Sequence, residues 1–160
     1  MKVLITFFSY TGNTRKVAES LASVLNEKVD VDLEEIQPTR HQPYLYWLIL
    51  SFIPKLRTPI KPPKANPSQY DLVCLGLPKW TVSCPPINQY LKEVNLRGKT
   101  LGLFITYGGF DERRYLKQMI KLLNKKGARV KATLLLKRRW IKEGKAAEHI
   151  RRYCNALLES

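Results

Sequence analysis

The stretch of this chain best equipped for chemistry is Ser9-Tyr10-Thr11-Gly12-Asn13-Thr14. An apolar run from Val3 to Phe8 precedes it. An amphipathic pattern of Val17, Ala18, Leu21, Ala22 and Leu25 follows. A strand that ends in hydroxyls and a glycine, then enters a helix, suits a phosphate. The helix N-terminus supplies N–H groups with no carbonyl partner and the positive end of a dipole. Ser9, Thr11 and Thr14 can add hydroxyl donors, and Gly12 lets the backbone approach a ligand closely. Neither the three-glycine dinucleotide fingerprint nor the Gly-Lys-Ser/Thr nucleotide loop is present. The same residues also describe a capped helix after a strand, with hydroxyls serving only the backbone. The rest of the chain decides between these readings.

The elements that must position this loop alternate. Apolar and periodic patterns predict strands over about 2–8, 29–36, 70–76, 99–107 and 129–136. Helical patterns fill about 13–27, 85–94, 111–126 and 142–158, with Pro85-Pro86 opening one and Gly127 closing another. Residues 37–69 break the rhythm and hold seven of the ten prolines around an apolar run, Tyr44 to Ile53. Five strands separated by helices predict a parallel sheet covered on both faces. Ligands in such sheets bind beyond the carboxyl ends of the strands, where the strand order reverses. The loops after strands one, three and four are therefore the ones that matter.

Two of them carry aromatic rings. Leu77-Pro78-Lys79-Trp80-Thr81-Val82-Ser83-Cys84 follows strand three and places an indole where it can stack on a planar ligand or simply cover the sheet end. Thr106-Tyr107-Gly108-Gly109-Phe110 follows strand four, with paired glycines between aromatics. One loop suits a phosphate, one offers a stacking ring, and one offers glycines and a tyrosine.

Ser9 to Thr14, Tyr70-Asp71-Leu72-Val73 with Gly76, Pro78, Trp80 and Pro85-Pro86, and Thr106-Tyr107-Gly108-Gly109 occur in that order. Over nearly the whole chain this set resembles the flavodoxin-like family of short FMN proteins, most weakly in 37–69. The resemblance implies a three-layer α/β/α fold with a five-stranded parallel sheet in order 2-1-3-4-5, one domain over 1–160, and FMN as cofactor. It implies that Ser9, Tyr10, Thr11, Gly12, Asn13 and Thr14 surround the phosphate. Pro78, Lys79, Trp80 and Thr81 would contact the ring, and Thr106, Tyr107, Gly108 and Gly109 would close its other side. Two departures stand out. Flavodoxins commonly place a glycine after the aromatic of the ring-binding loop, where a turning peptide stabilises the one-electron form. Here Thr81-Val82 follows Trp80, and branched residues resist such turns. Family electron carriers are usually acidic, whereas this chain has a formal net charge of +15.

That charge is uneven. Residues 1–36 carry four basic and six acidic groups, residues 37–112 nine and four, and residues 113–160 fifteen and three. Reduced FMN gains an anionic ring. A cation ~10 Å away favours that anion by about 0.4 kcal/mol at water's dielectric and about 1.7 kcal/mol at an effective value near 20. The basic third, with Lys137-Arg138-Arg139 and Arg151-Arg152, reads either as a solvated face or as a docking patch for an acidic, ferredoxin-like redox partner. Nucleic acid is disfavoured because no recognition motif is present.

The run Tyr44 to Ile53 is apolar around its whole helical circumference and too short to span a bilayer. It reads either as a helix packed on the domain or against a second subunit in a homodimer, or as an anchor on an anionic membrane surface flanked by Arg40, Lys55, Arg57, Lys61 and Lys64. Met1-Lys2 leads directly into a strand. The three scattered cysteines, Cys74, Cys84 and Cys154, suit a reducing cytoplasm. Two histidines in no ligand spacing argue against a metal. Cys84 reads as a passive thiol, or as one activated by Lys79 and the following helix start. No residue is an evident acid or base catalyst. Three functions follow: an electron-transfer protein, a small flavin oxidoreductase acting on NAD(P)H or quinone at a membrane periphery, or a binding module that has lost its flavin.

Overall fold

Three strands, β1 (Lys2–Phe7), β3 (Leu72–Pro78) and β4 (Thr100–Tyr107), are apolar on both faces because they form the middle of a five-stranded sheet. The computed structural model describes residues 1–160. β2 (Asp30–Glu35) and β5 (Arg129–Lys137) are the edges, and every neighbouring pair is parallel in the order β2-β1-β3-β4-β5. The edges are charged with opposite sign. β2 carries Asp30, Asp32, Glu34 and Glu35, and β5 carries Arg129, Lys131 and Lys137. Charge on an edge strand discourages pairing with another sheet.

The period-two alternation of a strand divides the core into two clusters. Leu4, Val73, Leu75, Leu77, Leu101, Leu103 and Ile105 point to one face, under α3 (Pro85–Glu93) and α4 (Glu112–Lys125). Val3, Ile5, Phe7, Leu72, Cys74 and Phe104 point to the other. There they meet α1 (Asn13–Leu25) and α6 (Ala147–Leu158). The fold is the one the alternating pattern predicts.

Two regions were only partly legible. The apolar run in the β2–β3 crossover forms α2 (Tyr44–Leu50), which stops short of Phe52, Ile53 and Pro54. Its crossover is closed by a bridge between Pro38 and Ile60, with Lys61 N–H donating to the Gln37 carbonyl at 2.7 Å. The helix predicted over 142–158 begins later, as α6 at Ala147, and a short helix absent from the sequence reading, α5 (Arg138–Lys142), precedes it and ends in a turn at Gly144. Lys145 N–H donates to the Trp140 carbonyl across that turn at 2.9 Å.

A close approach fixes the sheet at Gly76. A β-carbon there would stand 2.1 Å from Cζ of Phe104, whose ring is fully buried. Gly76→Ala is expected to destabilise the fold by about 1–3 kcal/mol, the usual cost of overpacking a core. Urea unfolding reads this as a lower midpoint at unchanged slope, and an unaltered midpoint would contradict the packing.

Candidate functional site

The chain leaves β1, forms β2 on one side, and crosses back to form β3 on the other. The loops after β1 and β3 therefore diverge and open a crevice at the carboxyl edge of the sheet. The first loop lines it. Gly12 caps α1 with φ 94°, a left-handed conformation that a side chain would strain. Lys16 N–H reaches the Gly12 carbonyl at 3.0 Å, and Arg15 N–H donates to Ser9 Oγ at 3.2 Å. The amides of Tyr10, Thr11 and Gly12 donate to no backbone carbonyl. No carboxylate lies in the first turn of α1. A row of free amides at a helix start, with hydroxyls beside it, is a donor set with nothing to donate to within the chain. An oxyanion such as phosphate satisfies it.

The three loops are tied together. Thr14 Oγ1 and Thr106 Oγ1 share a buried hydrogen bond of 2.8 Å, joining α1 to the end of β4. Lys79 N–H donates to the Thr106 carbonyl at 2.8 Å, joining the second loop to the third. The Arg138 guanidinium, from the far edge of the sheet, donates to the Lys79 carbonyl at 3.3 Å. Pro78, Lys79, Thr106 and Tyr107 are buried, and burial pushes the Tyr107 phenol above its ordinary value. Gly108 and Gly109 face open space, with no atom within 4 Å of where a β-carbon would stand. Lys79 makes no ion pair; its ammonium lies 5.8 Å from the centroid of the exposed Phe110 ring. Thr11 is exposed, and its Oγ1 accepts from the Asn13 side chain at 3.2 Å.

Trp80 holds a different position from the open stacking surface that its place in sequence suggested. It is buried, stacked on Trp47 of α2 at 6.2 Å, with edge contacts to Phe8 at 5.5 Å and Tyr44 at 6.3 Å. Tyr10 in turn stacks on His41 and leans on Tyr44. The residues that sequence reasoning missed are thus those of the crossover. Ser51 matters most. Its Oγ shares a 2.7 Å hydrogen bond with Thr81 Oγ1, and its carbonyl accepts from the amides of both Val82 and Ser83. Nothing in the uniformly apolar run pointed to this inward face. Only the single serine in it could have done so.

An open cleft of about 440 Å³ lies beside Ser9 and Tyr10, bordered by Arg15, Arg40, His41 and Lys61. Arg15 is held by Glu35 across it. A larger cavity of about 600 Å³ follows the β2 edge past Asp32, Glu34 and Tyr70, and none of the three loops lines it. Its wall mixes Asp32, Glu34 and Glu35 with Lys61 and Lys64, and it lies away from the free amides after β1.

Cys84 is not an activated thiol. It is buried, and desolvation pushes its pKa from 9.0 up to about 12, outweighing any help from the start of α3.

No protein-family model matches the chain. A protein of unassigned function from Archaeoglobus fulgidus is 38% identical over 151 residues, covering 92% of this chain and 95% of that one. A candidate flavoprotein of Bacteroides eggerthii, solved as a crystal structure, has TM-score 0.78 at 28% identity and covers 99% of both chains. A flavoprotein of Lactobacillus acidophilus in complex with FMN has TM-score 0.67 at 20% identity, over 89% of this chain and 97% of that one. Oxidised flavodoxin 2 of Bacillus cereus has TM-score 0.66 at 18% identity, over 98% and 97%. The chain has the flavodoxin-like fold that these structures share.

Because the folded pKa of Cys84 lies above its ordinary value, its burial favours the fold below pH 9, and that contribution is lost as pH climbs toward 12. All three cysteines are free and buried. Ellman's reagent at mildly alkaline pH is expected to find essentially no thiol in the native protein and all three after unfolding in guanidinium. Rapid release of one native equivalent, mapped to Cys84, would contradict the burial.

Proposed function

We propose that this protein binds FMN noncovalently and exchanges electrons through it. The observation that carries this is the set of unsatisfied amides at Tyr10, Thr11 and Gly12, beside the Ser9, Thr11 and Thr14 hydroxyls, at the start of α1. A dianionic phosphate suits those donors, and no carboxylate in the first turn opposes it. The ring then falls to Pro78 through Thr81 on one side and Thr106 through Gly109 on the other. The Thr14–Thr106 and Lys79–Thr106 bonds hold these two loops in fixed relation to the phosphate loop. The bound flavin supplies the redox chemistry, while the chain supplies position and electrostatics. The crystal structure of the L. acidophilus flavoprotein with FMN supports the choice of nucleotide.

A second reading, a two-electron oxidoreductase acting on NAD(P)H or a quinone, draws support from Ser51. Three hydrogen bonds from the Thr81–Ser83 segment end on this one residue, and no glycine interrupts it. A peptide held in this way resists turning toward the ring, so the usual aid to one-electron storage is weak. Stepwise anaerobic reduction is then expected to pass from the oxidised to the fully reduced spectrum through one isosbestic set. A long-lived third spectrum would favour the one-electron carrier.

Two measurements test the cofactor reading. Thr11→Val removes an exposed hydroxyl and is expected to weaken FMN binding by about tenfold, the scale of one charge-assisted hydrogen bond, while leaving riboflavin binding unchanged. Equal loss for both ligands would show that the loop does not hold the phosphate. The potential of bound FMN is expected to be less negative than in acidic flavodoxins and to fall as salt screens the surrounding cations. A potential as low as theirs, insensitive to salt, would contradict the electrostatic account.

A further inference from the structure

The outer side of α2 and the residues just after it are covered by nothing. Leu45, Ile49 and Phe52, at spacings of four and three, form one stripe and are 64%, 56% and 60% exposed. Tyr46, Ile53 and Val82 are exposed as well, and the amide of Val82 is bonded to the Ser51 carbonyl just after α2. The inner side is fully used: Trp47 stacks on Trp80, and Ser51 bonds Thr81 and the Val82 and Ser83 amides. Isolated exposed apolar residues need no explanation, but a contiguous group of this size does.

The charge around the patch says what covers it. No carboxylate occurs between Glu35 and Asp71, whereas Arg40, Lys55, Arg57, Lys61 and Lys64 all do. Asp71 is likewise followed by none until Glu93. The parallel sheet brings Lys137, Arg138 and Arg139, at the carboxyl end of β5, to the same edge of the molecule as the Lys79–Val82 loop. The Arg138 bond to the Lys79 carbonyl fixes that proximity. An apolar stripe with tyrosines at its margin, on a chain segment that carries cations and no carboxylate, matches an anionic lipid surface. Aliphatic and aromatic side chains enter the headgroup boundary while Lys and Arg meet lipid phosphates. No helix is long and apolar enough to cross a membrane, so the contact is peripheral.

We propose that α2 and Val82 dock this protein onto an anionic bilayer, with the rim of the Trp80 loop toward the lipid. The hydrogen bonds that join Ser51 to Thr81, Val82 and Ser83 make the docking helix and that loop one unit, so docking orients the proposed cofactor site as well. The lipid contact itself uses no phosphate-loop residue, so its failure would leave the FMN reading standing.

Cosedimentation with vesicles tests the proposal, reading protein in the pellet independently of flavin. The full chain is expected to bind vesicles of equal parts phosphatidylglycerol and phosphatidylcholine at low ionic strength. Binding weakens, but persists, at physiological salt. It is expected to bind vesicles of phosphatidylcholine alone far more weakly. Ile49→Glu with Phe52→Glu should cut partitioning about tenfold or more, and both sites are already exposed, so circular dichroism should be unchanged. Arg151→Glu with Arg152→Glu, on α6, should have a much smaller effect. Absence of binding at low salt overturns the proposal. So does loss caused by the α6 pair but not by the α2 pair, which marks nonspecific charge. A concentration-dependent dimer that the α2 variants dissolve, without vesicle binding, assigns the patch to a second copy and also overturns it.

Discussion

A polypeptide leaving a parallel strand and entering a helix must pass through residues whose amides belong to neither element. At the carboxyl end of β1 those residues are Tyr10, Thr11 and Gly12, and their N–H groups have no carbonyl to meet. Exposed, such groups meet water; beside an anion they bind it. Everything else at this edge of the sheet keeps the amides in place or adds to them. Gly12 takes the left-handed turn, Ser9 anchors Arg15 N–H, and the Thr14–Thr106 bond clamps the helix start to β4. The topology supplies the opening, since β1 is the strand from which the chain departs in one direction and to whose other side it returns.

The β2–β3 crossover adds a second constraint. In an all-parallel sheet this connection must travel over one face, and here it delivers α2 onto the end of β3. Trp47 and Ser51 face inward and grip the Trp80–Ser83 segment, while Leu45, Ile49 and Phe52 face out. One short helix thus stiffens the loop after β3 and presents an apolar surface. That division of labour explains why its sequence looks hydrophobic all round, although it is neither buried nor membrane-spanning.

Most of the architecture was readable before any coordinates because its signals are local. Continuous apolar strands, Pro85-Pro86 at a helix start and Gly127 at a helix end each act within a few residues. The glycine turn after β1 and the start of α1 were readable for the same reason. What stayed hidden was tertiary. The seven residues of α2 have no amphipathic period to reveal an inward face, so the Trp47–Trp80 stack had no trace in sequence and the Ser51 hydrogen bonds had only that one serine. α5 follows β5 directly with no capping side chain to announce it, so it left no local signal and the start of α6 was read too early. The activation suggested for Cys84 failed because burial, which its position in a loop did not advertise, outweighs a helix start.

Charge gives the molecule a direction. One sheet edge is acidic along β2 and the other basic along β5, and the cations continue through α4 and α6. Such a field favours the reduced, more anionic state of a bound flavin. All of this presupposes that the free amides after β1 are waiting for a phosphate. Isothermal titration of FMN into the purified, folded, flavin-free protein asks that question most directly. Saturable heat at one nucleotide per chain is the result these amides predict, and a flat titration with intact protein would contradict it.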